Sequence, residues 1–378
     1  MIFLRGKKSD QVVPALLKSH PKWGSRDRNF VAENTYEMVR NRRLIVHCLN
    51  GSSDLRRMVG AWLILKGRDD GSDYFEGLNR EEITERGKVT LPAIRFSVPD
   101  DLNDFMLSEL GPERWYTELE AMSRPADVFL RTNLRHLSRE QLQEALAARG
   151  IETGVVDNMP AALKVLKKAN LIATEEFRNG AFEIQDGGSQ LIGTFLRPEP
   201  GACVVDACAG AGGKTLHIAD LMQNKGQILA MDVAADKLKE LERRAQRNKV
   251  SIVTTGLPEP ATLEAYRGKA DFLLLDVPCS GTGVLKRNPD AKERLTVNFI
   301  REIQDVQQSI LDKYSTLVKP GGKMVYATCS LLPTENSRQV EAFLGRNGQF
   351  KCLDEQQIWP SETGFDGFYM ALLEKAKS

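Results

Sequence analysis

Two cysteines lie in turns that directly follow hydrophobic, strand-like runs. Residues 276–281 have the sequence DVPCSG and contain Cys279, and residues 327–330 have the sequence ATCS and contain Cys329. A pyrimidine ring carbon is alkylated readily only after a nucleophile has added to the ring, and a thiolate is the side chain best suited to add. The pair therefore predicts covalent chemistry on a nucleobase, with one thiol for attack and one for release.

A glycine-rich turn upstream suits a nucleotide. Residues 204–215 have the sequence VVDACAGAGGKT, which is typical of a strand, a turn and a helix start. Glycines let a ligand approach the backbone closely, and the first amides of a helix are free to donate to its polar atoms. A Walker A loop would need a glycine where Cys208 stands, and a dinucleotide fingerprint would need one at Thr215. An NTPase, with residues 272–276 as its acidic strand, is the runner-up from another class.

S-adenosylmethionine fits this turn better. Asp232 closes the next strand and could accept hydrogen bonds from ribose hydroxyls, although capping the helix ahead of Ala234 is an alternative role. Lys214 either keeps the site electropositive or is an ordinary surface lysine at a helix start. The residues predicted to contact the cofactor are Cys208, Ala209, Gly210, Ala211, Gly212, Gly213, Lys214, Asp232 and Asp276.

The elements that must position these motifs begin near residue 186. From there strands alternate with helices, a pattern typical of a parallel sheet with crossover helices. Such sheets bind ligands at the carboxyl ends of their strands, and each motif above falls at a strand end. Strands are predicted at 202–207, 227–232, 272–276 and 323–328, and helices at 213–222, 234–248 and 299–317.

The preceding residues predict two further domains. A helix capped by Ser25 is expected to run until Gly51, a second helix spans 54–65, and the polar segment 69–91 is expected to be a loop.

Residues 127–133 then form a predicted strand, and the spacing of Ser138 and Gln141 is typical of a capping box that opens a helix ending at Gly150. This second pattern indicates a small α+β domain.

The composition excludes several classes of protein. A length of 378 residues with 42% hydrophobic and 27% charged residues is typical of a globular protein with two or three domains. Charges at residues 5, 7 and 8 come too early for a signal peptide, and no apolar run is long enough to cross a bilayer, so we expect a cytoplasmic protein. Six cysteines without a Cys-x-x-Cys pair and four scattered histidines predict neither a metal site nor a disulfide framework.

Positive charge is concentrated at one end of the chain. Residues 1–60 hold twelve Lys and Arg against five Asp and Glu, a net charge of +7, whereas the whole chain carries only +1. A basic end on a neutral protein is compatible with RNA docking, and a solvated helical surface is the alternative interpretation.

Taken together, the motifs resemble the Nop/Sun (Fmu) family of RNA cytosine-C5 methyltransferases. The resemblance rests on the glycine turn and the two cysteine turns, and it extends to residues 182–186, 287–290 and 366–369, so that it spans 127–373. The N-terminal part, with residues 27–28 and 39–43, resembles the NusB-type domain of the bacterial small-subunit ribosomal RNA members. Two departures stand out: Ala211 replaces a usual proline, and residues 252–256 offer hydroxyls where the family generally has an aspartate.

The resemblance implies an α/β fold with a Rossmann-like S-adenosylmethionine-dependent methyltransferase domain at 186–378. It would be preceded by a helical, NusB-like RNA-binding domain at 1–97 and a small α+β domain at 98–185. Cys329 would be the nucleophile that adds to carbon 6 of a cytosine, Cys279 would assist its release, and Asp276 would bond the pyrimidine edge.

The implied partner is RNA. Ribosomal RNA is favoured by the N-terminal resemblance, and transfer RNA is the alternative substrate. A non-catalytic RNA-binding protein of ribosome assembly is the alternative from a different class. The sequence indicates neither the modified cytosine nor the oligomeric state.

Overall fold

The computed structural model describes residues 8–68 and 75–377. It divides into two compact units, the first within Met1–Pro125 together with Val284–Phe299, and the second within Ala126–Gly283 together with Ile300–Ser378. The prediction that the N-terminus is not a signal peptide concerns residues 1–8, of which only Lys8 lies within the described residues. The division into three domains, with boundaries at 97/98 and 185/186, stays a prediction. In the structure, the helices Asp100–Leu110 and Pro112–Met122 belong to the same unit as the N-terminal helices.

The first unit is helical. Trp115 is fully buried in it and donates a hydrogen bond from Nε1 to Asn103 Oδ1 at 3.0 Å. Its helices are α1 (Ser9–Ser19), α2 (Ser25–Arg40), α3 (Arg42–Cys48), α4 (Leu55–Leu65), α5 (Arg80–Gly87), α6 (Pro92–Arg95), α7 (Asp100–Leu110) and α8 (Pro112–Met122).

A segment from the later part of the chain completes this unit. Ser9 Oγ donates to Asp290 Oδ1 at 2.6 Å, and Arg40 Nη2 donates to the Lys286 carbonyl at 3.0 Å. The buried Lys292 ammonium donates to the Arg40 carbonyl at 3.1 Å. Residues 284–299, which follow the first cysteine turn, are therefore anchored to α1 and α2 by buried polar contacts.

The second unit begins with a small antiparallel sheet. Its strands are β1 (Val128–Thr132), β2 (Thr153–Val155), β3 (Ala162–Val165) and β4 (Phe182–Ile184), in the order β2-β3-β1-β4. Two helices accompany it, α9 (Arg139–Ala148) and α10 (Glu175–Arg178). The capping box is confirmed, because the Ser138 side chain accepts from the Gln141 amide while the Gln141 side chain accepts from the Ser138 amide.

A seven-stranded sheet forms the larger part of this unit, in the order β10-β11-β9-β8-β5-β6-β7. Strands β5 to β9 run parallel, and β11 is antiparallel to both of its neighbours. The strands are β5 (Cys203–Asp206), β6 (Gln227–Met231), β7 (Val253–Gly256), β8 (Ala270–Asp276), β9 (Val318–Thr328), β10 (Phe350–Ile358) and β11 (Phe368–Lys375).

One further helix precedes β5, and the remaining helices lie along the chain between the strands of the large sheet. They are α11 (Gly187–Leu196), α12 (Gly213–Leu221), α13 (Ala235–Arg247), α14 (Pro260–Tyr266), α15 (Val297–Tyr314), α16 (Ser337–Arg346) and α17 (Pro360–Thr363). The chain continues from β5 to β6 and β7 on one side and then crosses to β8 on the other side of β5. Ligand sites form where the strand order reverses in this way, at the carboxyl edge beside β5.

Both faces of the large sheet are buried at its central strands. Leu273 and Leu275 of β8 belong to the core on one face, whereas Phe272 and Leu274 belong to the core on the other. Alternate side chains of a strand point to opposite faces, so a continuous apolar run is what a parallel strand covered on both sides requires. The Rossmann-like fold, the four predicted strands and the three predicted helices of this domain are confirmed.

Several expectations for the N-terminal part were wrong in detail. The helix predicted from Ser25 to Gly51 is divided at Asn41 into α2 and α3, and Ser25 is the first helical residue rather than the cap. The predicted loop at 69–91 contains α5, which Asn79 caps by accepting from the Glu82 amide. Residues 69–74 of that loop lie outside the described residues.

The central strand gives a stability prediction. Leu274→Ala removes a fully buried side chain from β8 and should lower the free energy of unfolding by about 2–5 kcal/mol. Leu353→Ala, at a position 43% exposed on β10, should cost less than about 1 kcal/mol. Guanidinium unfolding followed by circular dichroism would compare the two, and equal losses would contradict the described core.

Candidate active site

The sequence motifs converge on the carboxyl edge of the parallel strands. The glycine turn follows β5, Asp232 follows β6, and Asp276 ends β8 beside β9. A cavity of about 600 Å³ opens at this edge. The predicted cofactor residues that line it are Cys208, Ala209, Gly210, Ala211, Gly213, Lys214, Asp232 and Asp276.

Gly212 has a structural part in the turn. Its φ is +85°, and a Cβ atom there would lie 2.5 Å from Leu241 Cγ, so a larger residue would meet both backbone strain and a clash. The cavity lining, as far as it is described, includes its neighbours and not Gly212 itself. Gly212 thus lets α12 begin close to α13.

Asp232 fastens the glycine turn to the next strand. Its Oδ2 accepts from the Gly210 amide at 2.8 Å, and its Oδ1 accepts from the Ala234 amide at 2.9 Å. Both predicted roles therefore have support, because the carboxylate bonds the amide ahead of α13 and also lines the cavity. Each carboxylate oxygen has a second lone pair, which leaves room for a ribose hydroxyl.

Asp206 is a site residue that the sequence analysis missed. It ends β5, is 1% exposed and lines the cavity. Thr215 Oγ1 donates to its Oδ2 at 2.7 Å, whereas its Oδ1 makes no hydrogen bond of ordinary geometry within the described residues. Burial, aided by the nearby Asp276 carboxylate, raises the pKa of Asp206 to about 7. Its position directly before the glycine turn was the signal that could have identified it.

This arrangement fits a ligand with a positively charged donor. A buried carboxylate oxygen with a vacant lone pair suits an ammonium group, and the turn amides and Asp232 suit the polar atoms of a nucleoside. S-adenosylmethionine carries both kinds of group. The residues present therefore fit that cofactor.

Lys214 is not a surface lysine. Its side chain is 13% exposed, and Nζ lies 2.6 Å from Asp276 Oδ2. Burial acts to lower the pKa of Lys214, but the Asp276 carboxylate outweighs it and, with a contribution from the Cys329 thiol, raises that pKa. The ammonium is held charged at the end of β8, within electrostatic reach of Cys329.

The two predicted thiols meet. Cys279 Sγ and Cys329 Sγ are 3.3 Å apart, close enough for a thiol to donate a hydrogen bond to the other sulfur. That hydrogen bond, burial and the Glu335 carboxylate all raise the pKa of Cys279 well above its usual range. The two sulfurs thus have neighbouring charges of opposite sign: the Glu335 carboxylate acts on Cys279, and the Lys214 ammonium acts on Cys329.

Comparisons with known proteins identify the family to which the chain belongs. Residues 193–374 match the family model described as 16S rRNA methyltransferase RsmB/F, and residues 105–171 match the ferredoxin-like domain model of the RsmF/B type. The probable ribosomal RNA small subunit methyltransferase B of Synechocystis is 30% identical over 98% of this chain and 96% of its own length. The chain belongs to the RsmB/F family. Members of this family are S-adenosylmethionine-dependent methyltransferases.

Other members of the RsmB/F family match over a shorter span. The ribosomal RNA small subunit methyltransferase B of Vibrio cholerae is 35% identical over 71% of this chain, and the match covers 64% of its own length. Among solved structures, PH0851 has a TM-score of 0.83 at 25% identity over 96% of this chain and 93% of its own. A methyltransferase homologue from Pyrococcus horikoshii has a TM-score of 0.67 at 27% identity over 75% of this chain and 97% of its own.

In residues 8–68 and 75–377, no helix combines the length and apolar character that a membrane crossing needs. The same ranges hold no group of three His, Cys, Asp or Glu side chains arranged to bind a metal ion.

The elevated pKa of Asp206 predicts that this side chain lowers the stability of the free protein near neutral pH, although it favours cofactor binding. An unfolded aspartate has a pKa of about 3.9, so the folded protein binds the extra proton between pH 4 and 7. The contribution of Asp206 to stability therefore falls as the pH rises through that window and stays lost above it. Asp206→Asn should stabilise the free protein at pH 8 by about 1–4 kcal/mol, and by less at pH 5.

The same substitution should weaken S-adenosylmethionine binding about ten- to a hundredfold, because a charge-assisted hydrogen bond is lost. Thermal melts at the two pH values and calorimetric titration with the cofactor would measure both effects. Asp236→Asn, at an exposed position of α13, is the control. A pH-independent change in stability, or unchanged affinity, would contradict the assignment of Asp206.

Proposed function

We propose that this protein methylates carbon 5 of a cytosine in ribosomal RNA, with S-adenosylmethionine as methyl donor, through a covalent adduct between Cys329 and carbon 6. The observation that carries the proposal is the pair of sulfurs 3.3 Å apart, near the Lys214–Asp276 ion pair, with Cys279 directly after residues 276–278, which line the cavity. The names of the curated RsmB relatives support ribosomal RNA as the substrate.

The positive charge near Cys329 supports its role as the nucleophile. The Lys214 ammonium interacts electrostatically with Cys329, and the Cys279 sulfur lies 3.3 Å from the Cys329 sulfur. Its thiolate adds to carbon 6 and makes carbon 5 electron-rich. When S-adenosylmethionine is bound, its sulfonium supplies the methyl group that carbon 5 takes up.

Asp276 would stabilise the electron-rich ring. One of its oxygens is held by Lys214, and the other would accept from the exocyclic amine or a protonated ring nitrogen. An acceptor at this edge distinguishes cytosine, whose exocyclic group donates, from uracil, whose corresponding group accepts. The base must lie outside a duplex, because attack perpendicular to the ring is blocked in a stack.

Cys279 would act in the release of the product. The proton of carbon 5 passes to a solvent base, the bond between carbon 6 and Cys329 Sγ breaks, and the departing sulfur takes up negative charge. A neutral Cys279 thiol beside it can donate a hydrogen bond to that sulfur as the charge develops. The raised pKa of Cys279 keeps its proton available for this step.

The basic N-terminal part would contribute to RNA binding. Residues 1–60 carry the net charge of +7 noted above, and phosphate contacts by Lys and Arg supply most sequence-independent affinity for nucleic acid. A ribosomal RNA substrate would place the protein in the cytoplasm.

The activity itself is tested by nucleoside analysis. Purified protein, S-adenosylmethionine and small-subunit ribosomal RNA that lacks this modification would be incubated, and the digested RNA examined for 5-methylcytidine by mass spectrometry. We expect 5-methylcytidine at one position. Cofactor binding without methylation of ribosomal or transfer RNA would favour the non-catalytic alternative.

The two cysteines should respond differently to substitution. Cys329→Ala should abolish both methylation and the covalent RNA adduct, since the raised pKa of the neighbouring Cys279 keeps that thiol protonated and so a poor nucleophile. Cys279→Ala should still form the adduct but release it slowly, so that a protein–RNA band accumulates on a denaturing gel.

Cys352→Ala, which alters the exposed cysteine of β10, is the matched control and should behave as the unmodified protein. Normal turnover by Cys279→Ala would disprove the two-thiol scheme, and an adduct in Cys329→Ala would show that the nucleophile is assigned wrongly.

A further inference from the structure

The buried Glu335 side chain forms hydrogen bonds with both cysteine turns. It is completely buried in the short 3₁₀ helix Pro333–Glu335 that follows β9. Its Oε1 accepts from the Ser280 amide at 2.8 Å and from Gln307 Nε2 at 3.1 Å. Its Oε2 accepts from the hydroxyls of Ser280 and Ser330. Ser280 and Ser330 directly follow Cys279 and Cys329, so a single carboxylate holds the residues next to both thiols.

Hydrogen-bond donors reach both carboxylate oxygens of Glu335. Ser330 Oγ accepts from the Leu332 amide at 3.1 Å, which leaves the hydroxyl proton free to point at the carboxylate. Thr282 Oγ1 accepts from the Leu331 amide at 2.9 Å and adjoins both serine hydroxyls. Four donors therefore converge on Glu335, two at each carboxylate oxygen, and fix the position of this side chain between the two turns.

This buried charge lies on the Cys279 side of the thiol pair. Glu335 is among the groups that disfavour a Cys279 thiolate, after the hydrogen bond to Cys329 and burial. The other titratable groups around the pair are Tyr326, whose hydroxyl donates to the Glu335 carbonyl at 2.7 Å, and the Lys214–Asp276 ion pair on the Cys329 side. Cys279 therefore lies on the side of the negative Glu335, whereas Cys329 lies on the side of the positive Lys214, and the two thiols are not equivalent.

We propose that Glu335 is a positioning residue that assigns the two cysteines their roles. Its carboxylate holds the two turns at their present separation and keeps Cys279 as a neutral hydrogen-bond donor, so that Cys329 is the thiol that ionises and attacks. This inference rests on the proposed function for its meaning in catalysis. The charge effect on Cys279 can be measured without RNA or cofactor.

The test measures the reactivity of Cys279 alone. Iodoacetamide alkylation of the full chain would be followed from pH 6 to 10 by peptide mass spectrometry in a Cys329→Ser background, with and without Glu335→Gln. A glutamine can accept at Oε1 from the Ser280 amide and Gln307 and can donate from Nε2 to the serine hydroxyls. Glu335→Gln therefore preserves the contacts while it removes the charge. If the role of Glu335 were purely structural, this substitution would leave the alkylation of Cys279 unchanged.

We expect Glu335→Gln to lower the pH midpoint of Cys279 alkylation by about one unit, which is about a tenfold faster reaction at pH 8. Glu341→Gln, at an exposed position of α16, removes the same charge at the surface and should leave the midpoint unchanged. An unchanged midpoint in a folded Glu335→Gln protein would overturn the proposal, and so would an equal shift in both variants.

Two further measurements separate the possible failures. If Glu335→Gln does not fold, the Cys329→Ser protein by itself still tests the inference. A pH midpoint of Cys279 alkylation at or below the ordinary thiol pKa of about 8.5 would contradict it. With both cysteines present, Glu335→Gln should accumulate the RNA adduct, as slow release predicts. If the unmodified protein forms neither adduct nor 5-methylcytidine, the proposed function fails, whereas the alkylation result still tests the charge effect of Glu335.

Discussion

The parallel pairing of β8 with β9 is the constraint on which the site depends. Its register places Asp276 opposite Ala327, and the Val277 amide continues the pairing by donating to the Ala327 carbonyl at 3.0 Å. Because parallel strands end at the same edge, the turns that follow must meet there, and the sulfurs of Cys279 and Cys329 come within 3.3 Å. A slip of one residue would move the side chains of β9 to the opposite faces of the sheet and separate the thiols.

Buried charge is the second feature of this edge, and it is placed with its partners already present. The Lys214 ammonium is paired with Asp276, and Glu335 is surrounded by four donors, so neither is left as an isolated ion in an apolar environment. Asp206 differs, because one of its oxygens lacks a good partner in the free protein. Such a group lowers stability until a ligand supplies the missing donor, which is a common compromise between stability and function.

Much of this arrangement was predictable from the sequence, and the exceptions have physical causes. The parallel strands β5, β8 and β9 and their motifs were recognisable because their apolar runs end in turns that contain glycine, proline or cysteine. Helix α5 was missed because it buries Ile83 as its one fully covered apolar side chain and so lacks an apolar stripe. Strands β10 and β11 were not predicted from the pattern. Glu335 could not be assigned, since its partner Ser280 lies 55 residues away in the chain and only the strand pairing brings them together.

The central claim is that Cys329, and not Cys279, forms the bond to the cytosine, and one measurement tests it most directly. RNA containing 5-fluorocytidine would be incubated with the unmodified protein and S-adenosylmethionine. Fluorine at carbon 5 cannot leave as a proton does, so any covalent intermediate would persist and could be digested and mapped by mass spectrometry. The account predicts a methylated fluorocytidine attached to the peptide that contains Cys329. Attachment to Cys279, or methylation without any protein adduct, would contradict it.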